Sequence, residues 1–318
     1  MGGGRGGEGR PQALPQREIP GGGVLVPVLG QGTWGMGESR ASFAREVEAL
    51  RLGIELGMTL IDTAELYGAG GAERVVGEAV RDCRERVFLV TKIWPSHAGR
   101  REALAALAGS LRRLGTGYVD AVLLHWPTRS APLGETLAAF REMRARGLAR
   151  FTGISNFDLP WLRAAWQALP AGEHLAFHEV PYGLGDRRAE RSLLPWAREH
   201  GQLLLAYSPL AHGRFRRWRG WERLESVARR LDLEPVQLAL AWLVRQPGVV
   251  GIPKAVRPEH VRQNAAAARL ALDEEVAAEL EAAFPGPTRD FHPPLPPYGP
   301  FYRLVLAGSR LAVRLRGG

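Results

Sequence analysis

Eight short apolar runs alternate with longer amphipathic segments along most of the chain, and this alternation limits the possible folds more than any other feature. The runs are "VPVLGQG", "MTLID", "VFLVTK", "VDAVLLH", "ARFTGIS", "LAFHEV", "LLLAYS" and "VVGIP". They recur roughly every 25–35 residues, and the segments between them have the apolar spacing of helices. The runs are continuous and β-branched, which is typical of parallel strands buried on both faces. The sequence therefore predicts an α/β fold, a (β/α)8 TIM barrel.

The barrel is predicted to be a single domain over residues 24–284. A doubly wound open sheet is the alternative, but no G-x-G-x-x-G motif follows the first run. Residues 1–23 are rich in Gly and Arg, and we expect a disordered leader rather than a signal peptide. Residues 285–318 form a Pro-rich segment with a basic amphipathic tail. On a helix this tail would suit a membrane surface or a partner, and otherwise it is a packed or frayed terminus.

The net charge of +9 raises the question of nucleic-acid binding. The arginines are spread along the chain without an interleaved aromatic motif, so we predict no nucleic acid. An anionic small-molecule partner fits the charge equally well. No stretch approaches the roughly 18 apolar residues of a membrane span. Cys83 is the only cysteine, which excludes an internal disulfide and indicates a cytoplasmic protein. Neither the cysteine nor the histidines have metal-site spacing, and no metal is predicted.

Polar residues follow seven of the eight apolar runs, where barrel enzymes collect their functional groups. These residues are Asp62, Lys92, His125, Ser155 and Asn156, Glu179, Tyr207 and Ser208, and Lys254. Any one of them could be a solvated strand end, but seven marked ends are difficult to attribute to chance. We therefore expect these side chains to face one cavity.

Lys92 and Lys254 are the only two lysines among 42 basic residues. Lysine carries a compact ammonium whose pKa responds to its surroundings, whereas arginine is planar and does not titrate. The retention of lysine at these two positions indicates a need for a point charge or a tunable proton.

Four residues near the strand ends have the chemistry of a proton-transfer group. Lys92 and Asp62 are predicted to form a buried ion pair, and Tyr67 follows Asp62 in "DTAELYG". The ammonium is expected to lower the pKa of the Tyr67 phenol by stabilising phenolate. Tyr67 can then donate a proton to a carbonyl oxygen as hydride reaches the carbon, while His125 orients that oxygen.

The motifs "LIDTAELYG", "VTKIW", "LLHW", "GISNF", "AYSPL", "IPKA" and "HVRQN" resemble, in order, those of the aldo-keto reductases. "LGQGTWGMGE" is most similar to a bacterial branch that reduces small aldehydes such as methylglyoxal. The resemblance implies reduction of an aldehyde or ketone by NADPH on a barrel. It also implies that Asp62, Tyr67, Lys92 and His125 form the catalytic tetrad.

The resemblance further implies how NADPH is bound. Ser155 and Asn156 match positions at the nicotinamide carboxamide, and Tyr207 matches the tyrosine that stacks on the ring. Lys254 matches the lysine that meets the 2′-phosphate. The other implied cofactor residues are Gly32, Thr33, Trp34, Glu179, Ser208, Leu210, Arg257, His260 and Asn264.

Three tryptophans fall at matching sites after the first, third and fourth runs. Trp34, Trp94 and Trp126 are expected to form an apolar mouth around the reacting carbonyl and to exclude water. The alternative is that all three are ordinary core residues.

The chain departs from the family pattern on the sixth run and at the adenosine end of the cofactor site. The sixth run carries His178 and Glu179 where Asn-Gln is usual, and an ionised Glu179 accepts hydrogen bonds but donates none. Its negative charge would favour the oxidised, cationic ring and slow reduction. His260 stands where many members have an arginine, and Arg257 is expected to supply the missing cation.

The prediction is therefore an NADPH-dependent carbonyl reductase, present as a monomer or weak dimer. One alternative is an NADP-binding regulatory or partner-binding barrel with little turnover. Another is a Schiff-base aldolase acting through Lys92. The arginine-rich loop 212–220 either clamps the cofactor or is a solvated loop.

Overall fold

A computed structural model describes residues 13–293 of the chain. It begins with an antiparallel hairpin of β1 (Gln16–Ile19) and β2 (Val24–Pro27). The predicted disorder of residues 1–23 is therefore wrong for Gln16–Ile19, which forms a paired strand. The glycines that suggested disorder form the turn between the two strands. Residues 1–12 lie outside the described part of the chain.

Eight parallel strands follow the hairpin and form one sheet in sequential order. They are β3 (Gln31–Gly32), β4 (Leu60–Asp62), β5 (Phe88–Ile93), β6 (Val119–Leu124), β7 (Ala149–Ser155), β8 (Phe177–Pro181), β9 (Leu203–Tyr207) and β10 (Val249–Ile252). Each predicted apolar run overlaps one of these strands, and β5 and β8 each extend one residue beyond their runs. The first run is divided, because its opening residues belong to β2 and only Gln31–Gly32 pairs with β4.

Backbone hydrogen bonds between the first and last strands close the sheet into a barrel. Gly30 N donates to Gly251 O at 2.8 Å, and Gly32 N donates to Pro253 O at 3.0 Å. A Cβ at Gly32 would lie 2.7 Å from the carbonyl oxygen of Ile252, so only glycine permits this approach. The predicted (β/α)8 barrel is confirmed.

Helices follow the strands and cover the outside of the barrel. They are α1 (Phe43–Glu55), α2 (Gly71–Val80), α3 (Arg100–Leu114), α4 (Leu133–Ala145), α5 (Leu159–Ala168), α6 (Leu193–Glu199), α7 (Trp221–Arg230), α8 (Pro235–Arg245), α9 (Pro258–Ala267) and α10 (Glu274–Ala283). Proline lies in the first turn of α5, α8 and α9, where its missing N–H has no cost. No helix within residues 13–293 is long and apolar enough to cross a membrane.

The hairpin closes the amino-terminal end of the barrel. Ile19 and Val26 are fully buried in the same apolar cluster as Phe88 and Phe177 from the barrel interior. The rings of Phe88 and Phe177 pack edge to face with centroids 5.6 Å apart. The barrel interior is thus filled with apolar side chains at this end, whereas the cluster of Asp62, Lys92 and Tyr67 lies at the carboxyl end.

The chain after α10 is irregular as far as it is described. Phe291 is nevertheless buried in the outer core, so the Pro-rich segment packs against the barrel at this point. Residues 294–318, which include the predicted basic amphipathic tail, lie outside the described part of the chain.

His178 on β8 is fully buried, and burial lowers its pKa to about 3. The folded protein therefore keeps this imidazole neutral, whereas the unfolded chain takes up a proton below about pH 6.5. The unfolded state then binds more protons than the folded state. The contribution of His178 to the unfolding free energy is therefore complete above about pH 6.5 and is lost as the pH falls towards the folded pKa of about 3.

We predict that His178→Asn, which cannot titrate, removes this part of the acid destabilisation. Between pH 7 and pH 5 the wild type should lose about 2 kcal/mol more unfolding free energy than the variant. Urea denaturation of both proteins at the two pH values measures the difference. Equal losses in the two proteins would contradict the assignment.

Candidate active site

Lys92 is the centre of the polar cluster at the carboxyl end of the barrel. It lies on β5 beside Asp62, the last residue of β4, and its side chain is fully buried. Its Nζ donates to Asp62 Oδ1 at 2.6 Å and Oδ2 at 2.7 Å. It also contacts Thr63 O and Tyr67 Oη, each at 3.1 Å. The predicted ion pair and its contact with Tyr67 are both present in the structure.

Two glycine-rich loops that pack together position Tyr67. The phenol lies in a short 3-10 helix, Tyr67–Gly70, immediately after β4. Gly68 has φ of 56°, and a Cβ there would lie 2.8 Å from Met36 O in the loop after β3. This contact brings the Trp34 ring to 5.0 Å from the Tyr67 ring in an edge-to-face arrangement.

The pKa of Tyr67 differs from the sequence prediction. Burial raises the pKa of this phenol, and the opposing effect of the Lys92 ammonium is smaller, so the net direction is upward. The predicted lowering is therefore wrong for the group as a whole. The consequence is that Tyr67 remains a protonated donor at neutral pH.

Opposing effects also act on Lys92. Burial tends to lower the pKa of its ammonium, but the neighbouring carboxyl groups, chiefly that of Asp62, outweigh burial and raise the pKa. Lys92 is therefore an ammonium in the resting protein.

His125 follows β6 directly and is buried between two aromatic rings. Its ring centroid lies 5.5 Å from that of Tyr67 and 5.2 Å from that of Trp94. Burial, with a smaller effect from Lys92, holds the pKa of His125 well below its usual range. The imidazole is therefore neutral and carries a single N–H donor.

Asn156, Ser155 and Tyr207 form a hydrogen-bonded group beside the tetrad. Asn156 takes a left-handed conformation with φ of 63°, and its Nδ2 donates to His125 O and Ser155 Oγ, each at 3.0 Å. Tyr207 Oη donates to Asn156 Oδ1 at 2.8 Å. The structure thus brings these three predicted residues together.

Glu179 occupies a different environment from the one predicted. Its side chain is almost fully buried, and Oε1 lies 3.3 Å from Lys92 Nζ across the barrel interior. Burial, the charge of Asp62 and a hydrogen bond between the two carboxyl groups raise the pKa of Glu179 well above its usual range. The surroundings of Glu179 therefore oppose the negative charge considered from the sequence, because β8 places this carboxyl group next to that of Asp62.

A second group of predicted residues lies at the start of α9. Lys254, Arg257 and His260 are exposed, whereas Asn264 is buried. Arg257 Nη2 lies 2.5 Å from His260 Nε2, and its Nε pairs with Glu259 at 3.1 Å. The N-terminus of a helix and neighbouring cations favour an anion, so this region fits a phosphate group.

The loop after β9 borders a cleft of about 750 Å³. Ser208 and His212 both have positive φ, and Ser208 Oγ lies 3.1 Å from His212 Nε2. Tyr207, Trp218 and Arg219 also line this cleft, and Leu210 is half-buried nearby. Arg219 therefore adds positive charge to the wall of the cleft.

Gly32 and Thr33 are structural as well as close to the site. Thr33 Oγ1 donates to Asp62 O at 2.9 Å, which holds the first loop against β4. The tryptophans differ in exposure: Trp34 is 55% exposed, Trp94 is 6% exposed and Trp126 is half-buried. Trp34 and Trp94 thus flank the phenol and imidazole from two sides.

Glu65 was missed by sequence reasoning. Its Oε1 accepts a hydrogen bond from Trp94 N at 2.7 Å and lies 2.9 Å from His97 Nδ1. The contact joins the loop of Tyr67 to the loop after β5. Its position in "DTAELYG" was the available signal, but nothing in the sequence indicated a partner on the next loop.

The family model of the "Aldo/keto reductase family" matches residues 28–284. The chain belongs to the aldo/keto reductase family. This confirms the resemblance found in the sequence motifs and the predicted oxidoreductase class.

Similar proteins include methylglyoxal reductase YeaE of Escherichia coli K12. It is 46% identical over 270 residues, which cover 84% of this chain and 94% of the relative. An aldo/keto reductase of Klebsiella pneumoniae was solved in complex with NADP and acetate, and it superposes with a TM-score of 0.82 at 44% identity. That match covers 87% of this chain and 98% of the other. A second K. pneumoniae structure, in complex with NADPH, covers 87% and 97% with the same identity and TM-score.

We predict that Asp62→Asn lowers stability by about 3 kcal/mol or less, because Glu179 can ionise and become the counter-ion of Lys92. Glu179→Gln alone should cost little, since the pair of Lys92 with Asp62 remains. The double variant should lose at least about 1 kcal/mol more than the sum of the two single losses. Urea denaturation of all four proteins at pH 8 tests this, and additive losses would contradict the coupling.

Proposed function

We propose that this protein reduces an aldehyde or ketone to an alcohol with NADPH, and that Asp62, Tyr67, Lys92 and His125 carry out the proton transfer. The observation that carries the proposal is the 3.1 Å contact of Lys92 Nζ with Tyr67 Oη, made while the same ammonium pairs with Asp62. NADPH, when bound, supplies the hydride. All other chemistry is assigned to side chains of the chain.

Tyr67 acts as the general acid. The alkoxide that develops as hydride reaches the carbonyl carbon is a stronger base than phenolate, so it removes the Tyr67 proton even though burial raises the pKa of that phenol. Lys92 stabilises the phenolate that remains, because its ammonium already lies at hydrogen-bond distance. Asp62 keeps this ammonium in place.

His125 orients the carbonyl group. As a neutral imidazole it donates one hydrogen bond to the substrate oxygen without competing with Tyr67 for the proton. Trp34 and Trp94 flank these two groups. We assign them, together with Trp126, to an apolar mouth that excludes water from the reacting atoms. A mouth of this kind suits small aldehydes, the substrate class in the name of the methylglyoxal reductase relative.

The cofactor is assigned to two groups of residues, one beside the tetrad and one at the start of α9. Ser155, Asn156 and Tyr207 would hold the nicotinamide, and Gly32, Thr33 and Trp34 would border it. Ser208 and Leu210 would contact the pyrophosphate. The 2′-phosphate and adenine would be held by Lys254, Arg257, His260 and Asn264. Support comes from the hydrogen-bonded group around Asn156 and from the exposed cations at the start of α9.

Two alternatives are disfavoured by the site. A Schiff-base aldolase needs a neutral amine at Lys92, but the carboxyl groups around it raise its pKa and hold it as ammonium. The regulatory barrel is less well supported, because the Asp62, Tyr67 and Lys92 contacts on which turnover depends are complete. We further propose a monomer or weak dimer acting in the cytoplasm, consistent with the single cysteine, Cys83.

We predict that Tyr67→Phe lowers kcat for methylglyoxal roughly 10²–10⁴-fold, because it removes the general acid. NADPH affinity should be unchanged, since phenylalanine keeps the ring contacts with Trp34 and His125. NADPH oxidation and NADPH fluorescence titration measure the two quantities. Turnover near that of the wild type would refute the role of Tyr67.

We predict that Lys254→Met weakens NADPH binding roughly 10- to 100-fold, because a charge-assisted contact with the 2′-phosphate is lost. NADH has no 2′-phosphate, so its affinity should be unaffected. Lys254→Arg is the matched control and should retain most of the preference for NADPH. If Lys254→Met weakened the binding of NADPH and NADH equally, the assignment of Lys254 to the 2′-phosphate would be contradicted.

A further inference from the structure

Three ionisable groups share one buried space at the centre of the barrel mouth. Lys92 Nζ pairs with both carboxylate oxygens of Asp62 and lies 3.3 Å from Glu179 Oε1. Glu179 Oε2 is also buried, and no residue between positions 13 and 293 forms a hydrogen bond with it. The site thus contains one cation and two carboxyl groups.

The charges of these groups determine where a proton must be. If both carboxyl groups were ionised, the space would carry an uncompensated negative charge, which is costly away from water. One proton removes this excess. Asp62 has two short contacts with the ammonium and Glu179 has one longer contact, so the proton belongs on Glu179.

Among the described residues, 13–293, the elements that surround Glu179 provide no second cation for it. Asp62 faces it from β4, Lys92 from β5, Tyr67 from the loop after β4 and Tyr207 from β9. The paired residue on β7 is Ser155, which does not titrate. The pKa of Glu179 lies well above its usual range, in agreement with this arrangement.

We propose that Glu179 is a neutral carboxylic acid in the free enzyme and with NADPH, and that it releases its proton when NADP+ is bound. The proposal rests on the function proposed above, in which Ser155, Asn156 and Tyr207 hold the nicotinamide. Glu179 lies among these residues, since its carbonyl oxygen accepts from Asn156 N at 2.8 Å and it pairs with Ser155. Reduced nicotinamide is neutral and oxidised nicotinamide is positive, so only the oxidised ring adds a second cation beside Lys92.

The released proton has a use in the reaction. After Tyr67 has donated its proton to the substrate, the remaining phenolate lies 3.1 Å from Lys92 Nζ, which in turn lies 3.3 Å from Glu179. Transfer of a proton from Lys92 to Tyr67 and from Glu179 to Lys92 restores the phenol and leaves Glu179 ionised. Solvent then returns one proton to Glu179 when NADP+ leaves, so reduction of each carbonyl consumes one proton.

Isothermal titration calorimetry of NADP+ and NADPH, in two buffers with different ionisation enthalpies, tests the proposal. The wild type should release one more proton with NADP+ than with NADPH, and protonation of the 2′-phosphate cancels in this difference. As the pH is raised, the NADP+ dissociation constant should also fall relative to that of NADPH, by up to about tenfold for each pH unit. Glu179→Gln should abolish both differences, whereas Tyr67→Phe should retain them.

The outcomes separate the two proposals. Failure of both nucleotides to bind would overturn the proposed function and this inference with it. Binding with equal proton release for the two nucleotides, or a difference that persists in Glu179→Gln, would overturn the inference alone. Infrared difference spectra give an independent check: the carbonyl stretch of a buried carboxylic acid should disappear on NADP+ binding to the wild type. Its absence from the free wild-type protein would also overturn the inference.

Discussion

The buried ammonium of Lys92 is the interaction on which the rest of the site depends. It simultaneously holds the Asp62 carboxylate, the Tyr67 hydroxyl and a backbone carbonyl. A charge in this position is stable only if the surrounding oxygens replace its hydration. Strand β4 and the loop after it supply these oxygens, because the carboxyl ends of β4 and β5 lie side by side. The same contacts that stabilise the ammonium therefore fix the acid that we assign to catalysis.

The barrel makes this burial possible by separating its two ends. The β1–β2 hairpin fills the amino-terminal end with Ile19 and Val26, so water is excluded from below. Gly68 packs against Met36 O, and this contact holds the loop after β3 against that of Tyr67. Small residues on these loops allow a close approach that larger side chains would prevent. The position of Tyr67 thus follows from this contact between loops as well as from its own strand.

Most of the fold and much of the site could be predicted from the sequence, because strand ends in a barrel converge whatever the loops do. Asp62, Lys92 and His125 were identified in this way. Contacts across the barrel could not be predicted, since β8 and β5 are not neighbours in the sheet. The approach of Glu179 to Lys92 was therefore missed, and so was the net rise of the Tyr67 pKa, which depends on the depth of burial.

The two lysines illustrate how far a compositional signal can be interpreted. At Lys92 the ammonium is enclosed by oxygens at distances of 2.6–3.3 Å, and a planar guanidinium could not fit this enclosure. The rarity of lysine is explained there by geometry. Lys254 is exposed next to Arg257, and an arginine in its place could also meet a phosphate. The same rarity therefore has a physical cause at the first position, whereas at the second a cation of either kind satisfies the chemistry.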